Sequence, residues 1–355
     1  MLVIDWSSIG IDDMNPGKPE LRRFHASRSW IFGLLTVSCF TLAVGYVGWA
    51  RMRSLPTESV APPAAAAASL PEQDFVMLRH GGPDADHGRV AVASLITPED
   101  SRIFTSLKCD RIDFAADRGV CLTAKRGLIT TYSAILFDAD MQPRYTLPLA
   151  GIPSRTRLSP DGRYVAITVF VSGHSYADGR FSTLTSIYET ASGRALGDLE
   201  QFEILRDGQA WRSPDFNFWG VTFARDNNRF YATLASGGKT YLIAGSIDTR
   251  QARVIRENVE CPSLSPDNTR VAFKKRVPRL GWLLHVLDLE TLVEIQLAEQ
   301  RSIDDQVEWL DDKHVLYAAG QDVWEVPADG SGEPKVFLHS AYSPAVVRWE
   351  WPRKT

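Results

Sequence analysis

Apolar and polar positions follow two different rhythms along this chain. Residues 30–50, WIFGLLTVSCFTLAVGYVGWA, run for 21 positions without a charge. At 1.5 Å per residue a helix of that length spans about 30 Å, the thickness of a bilayer's hydrocarbon core. From about residue 73 the rhythm changes to short alternating stretches such as DFVMLRH, GRVAVASL and RIFTSL, separated by Asp, Gly, Ser, Thr and Asn. A period of two bounded by turn residues predicts strands.

The apolar run predicts an uncleaved transmembrane signal anchor over 29–51. Trp30 at one end, with Tyr46 and Trp49 at the other, suit the two membrane interfaces. A cleaved signal peptide would have a shorter apolar core and small residues close behind it, whereas this run ends in WARMR. Lys18, Arg22, Arg23 and Arg28 precede the helix, against Arg51 and Arg53 just after it. That bias predicts a cytoplasmic N-terminus and an extracytoplasmic C-terminal domain on the plasma (inner) membrane. The expected domains are a cytoplasmic tail (1–28), too short for a core of its own and a candidate docking site for a cytoplasmic partner, the anchor (29–51), a Pro/Ala-rich linker (52–72) and a strand-rich domain (73–355).

Within that last domain a unit of strand, tight turn and strand recurs: IDFAADRGVCLT, TRLSPDGRYVAIT, VTFARDNNRFYAT, PSLSPDNTRVAF and VEWLDDKHVLYA. Taking Asp117, Asp161, Asp226, Asp267 and Asp312 as turn references, the intervals are 44, 65, 41 and 45 residues. A period of about 40–45 is one four-stranded propeller blade. The long interval carries its excess in VSGHSYADGRF and RDGQAWRSPDFNFWG. In Ser-Pro-Asp-Gly, Pro presets φ, Asp closes an Asx-type turn and Gly takes the positive φ; Asn227 and Asn268 replace that Gly. Two further strands follow each repeat, giving five blades. Three strands before the first repeat and AVVRWEW (345–351) after the last make a shared sixth. The predicted fold is all-β, a six-bladed β-propeller closed by pairing both ends of the domain, with seven blades as the alternative.

LSPDGRYVAIT and LSPDNTRVAF resemble the WD40-like repeats of TolB-type six-bladed propellers. The resemblance covers roughly 73–355 and implies fold far more than activity, because propellers serve many roles.

Charge and chemistry narrow the function. A formal net charge of −4 with scattered Lys and Arg predicts no nucleic-acid partner. No G-x-S-x-G elbow, HExxH, P-loop or EF-hand loop occurs, so neither catalytic residues nor a cofactor is expected. Asp138 and Asp140 read as turn residues rather than a calcium loop, and His80 and His87 as members of a solvated loop. Without CxxC or zinc spacing no metal site is expected, and Cys109, Cys121 and Cys261 leave the disulfide pairing open. Four residues before each turn Asp stand Asp113, Arg157, Thr222, Ser263 and Glu308, and the same register adds Arg348. Alternation puts the next residues, Phe114, Leu158, Phe223, Leu264 and Trp309, between blades, and the polar set on the channel. That ring reads as an ion-pair belt, with Arg348 between Glu308 and Asp113, or as a ligand site. The expectation is a membrane-anchored, non-enzymatic module binding a protein, peptide or envelope component. The alternatives are a small-molecule sensor using the channel and a lactonase-like enzyme.

Overall fold

A computed structural model describes residues 24–53, 57–58, 70–127, 129–171 and 182–348. The chain forms two units, 1–54 and 55–355. In the first, helix α1 (Phe24–Arg53) contains the apolar run. Its side chains are described at residues 30 and 32–46, and Trp30, Phe32, Leu35, Phe40 and Leu42 are all exposed. Among the described residues no helix is long and apolar enough to cross a membrane. The tail expected over 1–28 lies outside the described residues up to position 23, and the linker expected over 52–72 does so except at 52–53, where α1 ends, at Thr57–Glu58 and from residue 70.

The second unit is the propeller, with six four-stranded arrangements in chain order. Blade one comprises Arg111–Ala115, Arg118–Lys125, Thr131–Asp138 and Pro143–Leu149. Blade two comprises Ile152–Leu158, Tyr164–Val171, Ser182–Glu189 and Ala195–Asp198, and blade three Asn217–Phe223, Arg229–Ser236, Lys239–Ser246 and Gln251–Glu257. Blade four comprises Glu260–Leu264, Arg270–Val277, Gly281–Asp288 and Glu294–Gln296, and blade five Glu308–Trp309, His314–Ala319, Asp322–Pro327 and Lys335–Leu338. Blade six joins Phe75–His80, Arg89–Ser94 and Arg102–Lys108 to the C-terminal strand Ala341–Val347, with Phe75 opposite Val347 and His80 opposite Ala341. Both ends of the domain therefore share one sheet, which closes the ring.

Each sheet is buried on both faces, so alternation decides which neighbour a side chain meets. Phe75 and Met77 pack with Ile112 and Phe114 of blade one, whereas Val76 and Leu78 pack with Leu316 and Phe337 of blade five. Among the described residues there is one such apolar cluster at each of the six blade junctions.

Two features depart from the repeat. Part of the long interval forms a hairpin, Glu203–Arg206 with Gln209–Trp211, that pairs in parallel with the outer strand of blade three. Thr57–Glu58 forms a short strand on the outer edge of blade one, Thr57 opposite Thr146. Cys109 and Cys121 form a disulfide tying the crossing from blade six to the second strand of blade one, and Cys261 is free and buried.

The recurrent turns lie at the far end of the innermost strands and bond to one another. The Asn227 amide oxygen accepts the Asp161 N–H at 3.1 Å, Asn268 accepts that of Arg225 at 3.0 Å, and Asp312 accepts that of Asp267 at 3.0 Å. Asn227 and Asn268 thus take the left-handed conformation, φ 59° and 64°, and also link each turn to the preceding blade. In blade five the expected turn reference moves by one residue. Asp311, not Asp312, caps the turn by accepting the Lys313 and His314 N–H groups, both at 2.7 Å, because this turn is one residue shorter than that of blade four.

Candidate functional site

The six innermost strands bring the predicted polar set to the ring's inner surface, with one exception. Asp113, Thr222 and Ser263 are buried, and Glu308 and Arg157 are largely so, with side chains 14% and 15% exposed. The apolar companions Phe114, Leu158, Phe223, Leu264 and Trp309 are buried between blades, as alternation requires.

Three ring residues stitch one blade to the next. The Asp113 carboxylate accepts the Leu158 N–H at 2.6 Å, Thr222 Oγ1 accepts that of Leu264 at 3.1 Å, and Glu308 accepts that of Val346 at 3.3 Å. Ser263 contributes through its carbonyl, which accepts the Trp309 indole N–H at 2.8 Å. The equivalents of Leu158 and Leu264 in blade six are therefore Val346, and the ring position before it is Ala345.

Arg348 is accordingly not in the ring. The last strand ends at Val347, and Arg348 pairs with Asp74 at 2.7 Å with both side chains more than 40% exposed. The repeat register failed here because blade six has no Ser-Pro-Asp-Gly turn to fix it, and a bulge interrupts the pairing between Met77 and Arg79. Trp349 and Trp351 lie outside the described residues. Arg157 takes the bridging role instead. It pairs with Glu308, which belongs to the blade opposite, and donates to the Val307 carbonyl at 3.2 Å.

A second polar layer lies one strand repeat nearer the mouth at which the innermost strands begin. Arg111 and Arg155 of blades one and two converge on Asp305 at 2.9 and 3.3 Å. Gln306 donates to the Val221 and Pro262 carbonyls at 3.2 and 2.8 Å. The segment 304–306 thus reaches blades one to four and plugs this end of the channel by bonding across it. Arg111, Arg155 and Gln306 stand two residues before Arg157 and its equivalents, so extending the alternation would have found them; Asp305 carries no periodic signal. Gly220 and Cys261 occupy the same positions in blades three and four, where a Cβ on Gly220 would sit 2.7 Å from the Cys261 Cα.

Burial governs the protonation of this network. It pushes the Asp113 and Glu308 carboxyls up, because one guanidinium, Arg157, serves both. Burial would also raise Asp305, but Arg155 and Arg111 outweigh it and hold the group down to about 2. The ring's charges are engaged with one another and with backbone. Among the described residues no group of three or more His, Cys, Asp or Glu is placed to hold a metal ion. His80 and His87 do not converge: the first bonds Asp84 at 2.9 Å, the second the Gly82 carbonyl at 2.9 Å. Asp138 accepts backbone N–H groups from Asp140 and Gln142, a turn.

Beside the plug a cleft of about 540 Å³ opens on blade five, between Arg301–Asp305, the turn Ala319–Asp322, Trp324 and Tyr342. In its wall Arg301 pairs with buried Glu299 at 2.6 Å and lies 3.9 Å above the Trp324 ring.

No family model and no curated protein matches this sequence. Solved structures do. TolB from Acinetobacter baumannii superposes with a TM-score of 0.56 at 14% identity, over 77% of this chain and 66% of that one, just under two thirds of its length. A chain of a nidogen/laminin complex gives a TM-score of 0.53 at 12% identity, over 78% of this chain and 99% of that one. At such identities the likeness is one of fold alone. By fold, the domain is a TolB-like six-bladed β-propeller.

Proposed function

We propose that this chain is a membrane-anchored, extracytoplasmic interaction module whose propeller binds a protein or another envelope component through its loop faces. One observation carries the reading: the channel is crossed by the chain's own ion pairs, so the recurring geometry of the ring holds blades together and leaves recognition to the surface. The apolar, exposed side chains of α1 support an anchor, since Trp30, Phe32 and Leu35 have no apolar partner in water. The Cys109–Cys121 bond supports an oxidising compartment. Four basic residues before the apolar run 30–50 against two after it support a cytoplasmic N-terminus.

The test has two arms. A reporter fused after Thr355 should behave as extracytoplasmic and one fused before Trp30 as cytoplasmic; the opposite result refutes the topology. The intact protein, solubilised from membranes after cross-linking, should retain a stoichiometric partner. A protein that is recovered alone under several cross-linking chemistries refutes the interaction module.

A further inference from the structure

Blades three and four carry, at the mouth of the channel, a cationic surface that the channel network does not use. The second and third strands of blade four meet in a hairpin whose tip, 278–280, stands in solvent, with Leu280 58% exposed. Arg276 and Arg279 are exposed there, and no ion pair to an acid is found for either among the described residues. The tip is held rather than loose. The Asn258 side chain accepts the Arg276 N–H and donates to its carbonyl, both at 3.1 Å, and the Trp282 N–H donates to Ser302 Oγ at 3.0 Å. The Trp282 ring lies 4.7 Å from Lys274 Nζ and 5.3 Å from the Arg276 guanidinium.

Blade three extends the same surface. Glu257, the neighbour of Asn258, receives Lys239 at 3.0 Å and Arg206 at 3.4 Å, two cations on one carboxylate. Arg206 also lies 5.0 Å from the Trp211 ring. Glu257 and Asp207 answer Arg206 and Lys239, and Glu260 and Asp304 take up Lys274, so Arg276 and Arg279 are the cations of this surface that face solvent without a paired acid among the described residues.

We propose that this surface docks an acidic, extended protein segment carrying an apolar side chain that covers Leu280. The inference rests on the interaction-module reading and names the partner's chemistry. Arg and Trp on a rigid support are the residues that most often carry interface energy, and a pre-ordered tip lowers the entropy cost of binding. Charge complementarity steers such a partner and makes the association salt-dependent. A protein is favoured over a lipid surface because Trp211 and Trp282 are half-buried against cations, which leaves Leu280 alone to protrude.

The test uses the full chain in detergent and a short fluorescent peptide of alternating Glu and Leu, with a Lys/Leu peptide and anionic vesicles as comparisons. The acidic peptide should bind and the basic one should not. Arg276→Glu with Arg279→Glu should weaken binding at least about tenfold. Lys313→Glu, on a turn at the opposite end of the ring, should leave binding and thermal unfolding unchanged. Equal binding of both peptides, or no effect of the double reversal, overturns the proposal. Vesicles that displace the peptide at equal anion concentration and lose binding in the same variant overturn it in favour of lipid. A native partner that co-purifies equally with the double variant overturns this surface but leaves the interaction module standing; absence of any partner from the wild type overturns the module itself.

Discussion

Arg157→Met is the most discriminating perturbation of the channel. Arg157 and Glu308 are about 85% buried, and Arg157 is also the cation nearest Asp113. Met keeps much of the side-chain volume and removes the charge, so two buried carboxyls lose their counter-ion together. Breaking a buried pair by deleting one partner costs about 3–5 kcal/mol, because the remaining charge keeps its desolvation penalty. For a domain of this size that corresponds to a fall in Tm of roughly 10 °C. Adding Glu308→Gln removes one stranded carboxyl and should return part of the loss. Arg348→Met is the internal control. Its pair with Asp74 is roughly half-exposed, and such pairs are worth about 0–1 kcal/mol. The assay is thermal and urea unfolding of the three variants beside the wild type. Equal, small losses for Arg157→Met and Arg348→Met would show the channel pair to be solvated, and the argument that the ring is a structural belt would fail.

Three further outcomes follow from the packing. Burial raises the folded-state pKa of Glu200 to about 8, above the unfolded value of 4.5; its contribution is therefore fully present below pH 4.5 and is lost as pH rises through 8, so Glu200→Gln should be the more stable protein at pH 8 by a few kcal/mol at most, with no gain at pH 4.5, in denaturant titrations across that range. Cys109→Ser with Cys121→Ser opens a loop of sequence separation 12 and should cost about 2–3 kcal/mol in unfolding under oxidising conditions, the difference vanishing when the wild type is reduced. Asn268→Gly keeps the left-handed turn but loses the bond to the Arg225 N–H, costing about 1 kcal/mol, whereas Asn268→Ala should lose about 1 kcal/mol more through the Cβ penalty at φ 64°; unchanged stability of Asn268→Gly in urea unfolding would mean that the link between turns is not used.

The blade count was legible because it rests on local chemistry. A turn that demands Pro, Asp and Gly or Asn leaves the same residues wherever it recurs, and strands of known length must lie between. The inter-blade placement of Phe114, Leu158, Phe223, Leu264 and Trp309 followed from alternation alone, since a strand has only two faces. The ring was readable wherever such a turn anchored the count, as at Asp113, Arg157, Thr222, Ser263 and Glu308.

Only the tertiary structure decided what crosses the channel. That Arg157 reaches Glu308 depends on blades two and five facing each other, a relation between positions about 150 residues apart that no local pattern encodes. Arg348 was misplaced for the same reason. Its strand has no turn of its own, and its register is set by pairing with Phe75–His80, at the other end of the domain, together with a bulge that shifts the count. The Cys109–Cys121 choice and the use of Asn227 and Asn268 as links between turns are likewise matters of distance. Sequence determined the elements and their periodicity through short-range sterics and hydrogen bonding. Closing the ring brought distant strands together, and that closure selected the partners.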